Sequence, residues 1–302
     1  MPDSAVGRAL EPAPCLFSRV LCAVAFDHQS ASALYNAVGI AAHGGELTVL
    51  TVRPEAASRG SEHSEIQASH EKALRDFVSQ HIPADLSYGP RLHLHVAYGH
   101  PAEAILAAAD RYHVDLIIMG TRGRGRVLEG VIGSVAHHVL REARTAVMIV
   151  PPFETELVAL ETSRPIFHVG RVLVPIDPLR ENAEQLQVAT RLRRISQQPL
   201  QLLCVRHDKE PQLQATQFEK LVQQHHLPVD TEAWPVSART VAAGISESAR
   251  STEAGLIVMG LERQQKRMTP GSIAYEVIRH TDAVVLAVPR AEQDSAFLPV
   301  LV

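Results

Sequence analysis

The sequence predicts an α/β protein of parallel sheets flanked by helices, with one unit written twice. Three observations carry this. Short continuous apolar runs, of the kind buried on both faces of a sheet, alternate with segments of helical spacing. The runs recur in order: "DLIIMG" (115–120) returns as "GLIVMG" (255–260), "GSVAHHVL" (133–140) as "GSIAYEVI" (271–278), and "AVMIVPP" (146–152) as "AVVLAVP" (283–289). Each half also opens on an apolar run closed by Asp, "VLCAVAFD" (20–27) and "VLVPID" (172–177), which makes Asp27 the counterpart of Asp177. Order is kept and only loop lengths change, so a whole domain is duplicated and not a small solenoid repeat.

In the first half, "VLCAVAF" and "LTVLTV" read as central strands. Between them "SASALYNAVGIAAHGG" is a helix with Gly44 and Gly45 as its stop. After Pro54, Ile66, Ala73, Leu74, Phe77, Val78 and Ile82 fall at helical spacing. "RLHLHVAYG" alternates Leu92, Leu94 and Val96 with His93 and His95, as a half-exposed edge strand does. "PAEAILAAADRYH", "VDLIIMG", "SVAHHVLREA" and "AVMIVPP" complete the half as helix, strand, helix and strand. In the second half the strands are "RVLVPID", "LQLLCVR", "PVDTEAWPV", "GLIVMG" and "AVVLAVP". "FETELVALETSRPIFHVG" has no clear period and contains the linker. The expected division is an N-terminal extension over 1–16, a first domain over 17–152, a linker over 153–168, a second domain over 169–290 and a tail over 291–302.

A formal charge of −4 gives no global attraction to nucleic acid or to an anionic membrane, so any basic site must be local. Aromatic residues at 4% argue against a stacking surface for single strands. Cys15, Cys22 and Cys204 are too scattered for a disulfide framework or a zinc cage. Neither a signal-peptide pattern nor about 20 continuous apolar residues occurs, and the expected location is the cytoplasm.

The segment "GTRGRGRVLEGVIGSV" (120–135) follows a buried strand and combines five glycines, three arginines and a Gly-Ser pair that opens a helix. In a parallel sheet, ligands sit beyond the carboxyl ends of the strands, where the strand order reverses. Asp27 and Gly120 each end a strand, and if those strands are neighbours both line one crevice. Glycines let backbone amides approach phosphate oxygens, and a helix N-terminus favours anions. The loop therefore reads as a phosphate site. It is neither a Walker loop nor a dinucleotide fingerprint, because the Lys of the one and the first-strand placement of the other are missing. Arg122, Arg124 and Arg126 are either phosphate contacts or solvated loop charges.

The spacing Gly120, two residues, Gly123, nine residues, Gly133-Ser134 resembles the nucleotide-binding signature of the universal stress protein family, over nearly the whole chain as two copies. The resemblance implies open five-stranded parallel sheets of strand order 3-2-1-4-5, of the Rossmann-like adenine nucleotide alpha-hydrolase type. It also implies ATP with Mg²⁺ in the first domain: Ala25, Phe26, Asp27 and Val52 around adenosine, Met119 and Gly120 under the ribose, Gly123, Gly133, Ser134 and Val135, with Arg122, about the phosphates. Ala25 stands where the family often has proline. In the second copy Asp177, Val205, Met259, Gly260, Gly271 and Ser272 persist, but Arg263 occupies the place of the second glycine, so the first copy is the competent one.

Asp27 also reads as a helix cap through "DHQS". His93 and His95 share a strand face without a third ligand at recognisable spacing, so no metal is assigned. Three functions stay open: a cytosolic nucleotide-binding stress or signalling protein, a slow ATPase or phosphoryl-transfer protein, and a nucleotide-independent assembly module. The enzyme reading lacks a group to orient the attacking water, since Glu129 has no specified partner. Partner expectations are pairing of the two domains through their apolar fifth strands, a homodimer as the weaker reading, and neither membrane nor nucleic acid.

Overall fold

The computed structural model describes residues 17–42, 44–54, 61–87, 89–121, 132–151, 157–162, 165–177, 183–196, 198–206, 215–228, 231–261 and 272–289. The first half runs β1 (Arg19–Ala23), α1 (His28–Ile40), β2 (Glu46–Arg53), α2 (Ser61–His81), β3 (Arg91–Tyr98), α3 (Pro101–Arg111), β4 (Leu116–Gly120), α4 (Ser134–Glu142) and β5 (Ala146–Val150). A hairpin of β6 (Val158–Leu160) and β7 (Pro165–Phe167) follows. The second half runs β8 (Val172–Pro175), α5 (Ala183–Ser196), β9 (Leu200–Arg206), α6 (Ala215–Gln224), β10 (Glu232–Ser237), α7 (Val241–Ser251), β11 (Leu256–Leu261), α8 (Ile273–His280) and β12 (Val284–Pro289).

The first half orders its strands β3-β2-β1-β4-β5 and the second β10-β9-β8-β11-β12, so each carries the 3-2-1-4-5 order. Within each half every pairing is parallel. The halves meet edge to edge: β12 lies antiparallel to β5, with Val285 opposite Ile149, Leu286 opposite Met148 and Ala287 opposite Val147. One ten-stranded sheet results. Because the seam is antiparallel, the carboxyl ends of the two sets of strands face opposite ends of the sheet. Two crevices, one per half, therefore open in opposite directions.

Continuous apolar runs are what this sheet needs, since helices cover both faces. One face carries α1, α2, α5 and α6, with Leu34, Leu74, Leu186 and Leu221 in a single core. The other carries α3, α4, α7 and α8, with Ile105, Leu140, Ile245 and Val277. Pro101, at the first helical position of α3, is tolerated there because the amide it lacks would have no partner in the helix. β3 forms the edge of the sheet, as its alternation predicts, but Leu92 and Leu94 are exposed instead of facing the core. α1 ends at Ile40, earlier than the glycine pair suggests, and Gly44 turns the chain at φ +98.

The segment read as linker contains secondary structure. The β6–β7 hairpin lies over α1, where Leu157 donates its amide to Asn36 Oδ1 at 2.8 Å and Val158 is buried against Gly39. The hairpin thus covers the second half of α1, where Asn36 to Ile40 are all buried.

The amino ends of β1 and β4 are tied by Asp115, whose carboxylate accepts the amides of Ser18 (2.7 Å) and Arg19 (3.1 Å). Burial raises its pKa above the ordinary carboxylate range, and these hydrogen bonds with the charge of Arg19 offset part of the rise. An acid whose pKa is higher folded than unfolded contributes stability below the unfolded value and loses it as pH rises through the folded one. The stability of the wild type relative to Asp115→Asn is therefore expected to decline as pH increases from about 4. Urea unfolding of both proteins over a pH series measures it, and a difference that does not vary with pH would contradict this account.

Candidate functional site

The chain leaves β1 toward β2 and β3 on one side and returns to β4 and β5 on the other, so the order reverses between β1 and β4. These strands are paired from Val20–Leu116 to Ala23–Met119. Their carboxyl ends thus frame a crevice, with Ala25 and Asp27 in the turn that leaves β1 and Met119 and Gly120 at the end of β4. Val52, next to last in β2, lies on the same face of the sheet as Met119, and both pack with the α3/α4 core.

The turn after β1 is held by a short polar chain. Ala25 donates its amide to Ser30 Oγ (2.8 Å), Ser30 Oγ donates to Asp27 Oδ1 (2.6 Å), and the Ser30 amide donates to the same oxygen (2.8 Å). Asp27 is the N-cap of α1. Between them Phe26 adopts φ 59, in the left-handed region. Its ring lies on the α1/α2 face, 5.2 Å from Phe77, with the Arg53 guanidinium 4.7 Å above it. Only the backbone of Phe26 borders the crevice.

The strand registers correct one equivalence. Leu21 pairs with Ile117 and Leu173 with Ile257, so Leu21 and Leu173 hold matching places in the two halves. Counting forward, Ala23 matches Pro175, and Asp177 matches Ala25 instead of Asp27. Asp27 lies two residues later, where the cap is made. Both runs end in Asp, and the end of an apolar run alone gave no way to see the two-residue offset. The strand-end carboxylate thus belongs to the second half.

On the phosphate side, Gly133 donates its amide to Thr121 O (2.8 Å) and accepts from the amide of His137 (2.9 Å), fixing the start of α4 beside the end of β4. Gly133 is the N-cap and has no side chain to offer the first-turn amides. Ser134 is exposed and Val135 half-buried on that turn. Arg122 and Gly123 lie outside the described residues, as do Glu129, Arg263 and Gly271.

The second crevice is built differently. Asp177 is exposed, Met259 buried and Gly260 half-buried. Ser272 accepts the Tyr275 amide at 3.4 Å and so caps α8 itself. The β8–β11 ladder stops at Leu173–Ile257, two pairs earlier than β1–β4. Pro175 has no amide to continue it, and the buried Gln185 spans the gap, its Nε2 donating to Pro175 O (2.6 Å) and Val258 O (2.9 Å). Val52 is opposite Ala97 and Val205 opposite Val236, so Val236 matches Ala97. Pro175 and Val236 therefore put bulkier side chains at the second crevice where the first has Ala23 and Ala97. Ala23 and Ala97 were missed from sequence because alanines ending strands carry no signal until their pairing is known.

Among the described residues no three of His, Cys, Asp and Glu converge as a metal-ligand set. His95 meets Tyr112 edge-on at 5.7 Å, and burial, with Arg111 nearby, lowers its pKa. His137 and its counterpart Tyr275 meet edge-on at 5.8 Å, joining α4 to α8. No helix among the described residues is long and apolar enough to cross a membrane.

Residues 16–151 match the model of the Universal stress protein family. A universal stress protein of Mycobacterium tuberculosis (strain ATCC 25618 / H37Rv) is 24% identical over 192 residues, covering 63% of this chain and 67% of that one. Among solved structures, a universal stress protein from Archaeoglobus fulgidus DSM 4304 superposes with a TM-score of 0.68 at 19% identity, covering 91% of this chain and 99% of its own. A putative universal stress protein from Pseudomonas aeruginosa UCBPP-PA14 gives 0.55 at 13%, covering 90% and 93%. At these identities the two structures speak for the fold alone.

Proposed function

The chain is a member of the universal stress protein family through residues 16–151, and we propose that this first domain binds ATP with Mg²⁺ as the ligand-sensing part of a stress-response module. The reading rests on the small side chains Ala23 and Ala97, which with Ala25 and Val52 would wall a slot for the base, and on an α4 N-terminus whose first-turn amides receive no side-chain cap. A purine fits small apolar walls, and a polyphosphate suits oriented amides at a helix start. Met119 and Gly120 lie between the two. Asp27 serves the site by fixing the turn, and the Gly123 and Arg122 contacts belong to the same proposal. Mg²⁺ would be held mainly by the nucleotide's own phosphate oxygens.

The second domain, over 169–290, is the degenerate partner. Its bulkier crevice side chains and self-capped α8 support a structural role, with the β5–β12 seam holding it to the first domain. Turnover is expected to be slow at most, because the reading assigns no residue to orient a water on a phosphate. The cytoplasm is the location that suits an ATP-dependent module.

Isothermal calorimetry of the whole chain with ATP and Mg²⁺ tests the reading. About one equivalent bound per chain is expected. Absence of heat at millimolar ATP, together with no nucleotide in native mass spectra of the purified protein, would leave the nucleotide-independent assembly role as the better account.

A further inference from the structure

We infer that Thr121 is a phosphate-binding residue of the first crevice, its hydroxyl donating to a phosphate oxygen of the bound nucleotide; the inference rests on the ATP reading above. Thr121 is the first residue beyond β4 and only 5% exposed. Its backbone is fully used, the amide donating to Val150 O (3.1 Å) and the carbonyl accepting from Gly133, the N-cap of α4. Its hydroxyl is buried and finds no hydrogen-bond partner among the described residues. A buried hydroxyl left unpaired costs free energy, so its retention needs a reason.

Position supplies that reason. Alternation along β4 puts Ile117, Met119 and Thr121 on one face, the face on which Ala136, Val139 and Leu140 of α4 pack. The hydroxyl therefore lies on the α4 side of the sheet, where the uncapped start of that helix favours an anion. The second half supplies the comparison. Leu261 matches Thr121 and is 3% exposed in the same core, so packing at this place has no need of a hydroxyl. The polar side chain occurs in the half with Ala23, Ala97 and the glycine-spaced loop. The apolar one occurs where Pro175 and Val236 take their places and the helix caps itself. A phosphate oxygen entering the first crevice would give the Thr121 hydroxyl the acceptor it lacks.

The test compares the whole chain with Thr121→Val, which keeps the shape and removes the hydroxyl, and Thr121→Ser, which keeps the hydroxyl. ATP, adenosine and no ligand are the three conditions. Without ligand, Thr121→Val is expected to melt no lower than the wild type, because an unpaired buried hydroxyl is replaced by a methyl. With ATP its affinity is expected to fall by roughly ten- to a hundredfold, the range for a hydrogen bond to a charged acceptor. Adenosine affinity should stay unchanged, and Thr121→Ser should bind ATP as the wild type does. Equal ATP affinity in Thr121→Val overturns the inference, and so does a loss shared by ATP and adenosine. A wild type that binds neither ligand fails at the earlier step and takes the ATP reading with it.

Discussion

Replacing Gly255 with alanine is expected to destabilise the protein by about 3 kcal/mol, toward the upper end of overpacking effects. A Cβ there would stand 2.5 Å from the Val169 carbonyl oxygen and 3.1 Å from its carbon. Both are backbone atoms that no rotamer change can move aside. Gly255 also donates its amide to that oxygen (3.1 Å) and accepts from Val284 (3.0 Å), so a shift loosens the entry to β8 and the start of β12 together. Gly39→Ala provides the contrast, because its Cβ would meet the side chain of Val158. That clash should be relieved by adding Val158→Ala, since contacting residues couple. Urea unfolding of the three variants measures this. A Gly255→Ala protein as stable as the wild type would show that residues 169–171 do not lie against β11 as described.

Ala97→Phe is expected to reduce ATP affinity by at least about a hundredfold, roughly 2.7 kcal/mol, while leaving the unfolding transition nearly unchanged. Ala97 lies opposite Val52 at the carboxyl end of β3 and is half-buried on the slot face, so a ring placed there fills the space a purine would take. β3 is an edge strand, and an aromatic residue suits its pleated surface. Val236→Ala in the second half is the companion variant, removing one of the two bulkier side chains there while Pro175 stays. It should leave binding to the first domain untouched. Calorimetry against ATP reads both variants. Full affinity in Ala97→Phe would move the base away from Val52 and take the proposed slot with it.

Much of this site is written locally. The "GSVAHHVL" and "GSIAYEVI" segments locate two helix starts, and the runs around Met119 and Met259 locate the strands before them, because periodicity and Gly-Ser punctuation depend on neighbours in sequence. Residues whose meaning comes from another strand were not legible. Ala23, Ala97 and Thr121 are ordinary in sequence and become walls or a buried donor only when β2 pairs with β3 and α4 returns over β4. The segment holding the linker shows no clear period for the same reason: Val158 and Leu157 find their partners on α1, more than a hundred residues earlier.

The sequence by itself determined the alternation of strands and helices, the duplication and the glycine-spaced loop, all consequences of burial pattern and local backbone freedom. Only the tertiary structure decided which residues correspond between the halves. Register is a relation between strands, and the pairings of Leu21 and Leu173 moved the strand-end carboxylate from the first half to the second. It likewise decided that the two sheets join through β5 and β12, because an apolar edge fixes neither its partner nor its direction until another edge meets it.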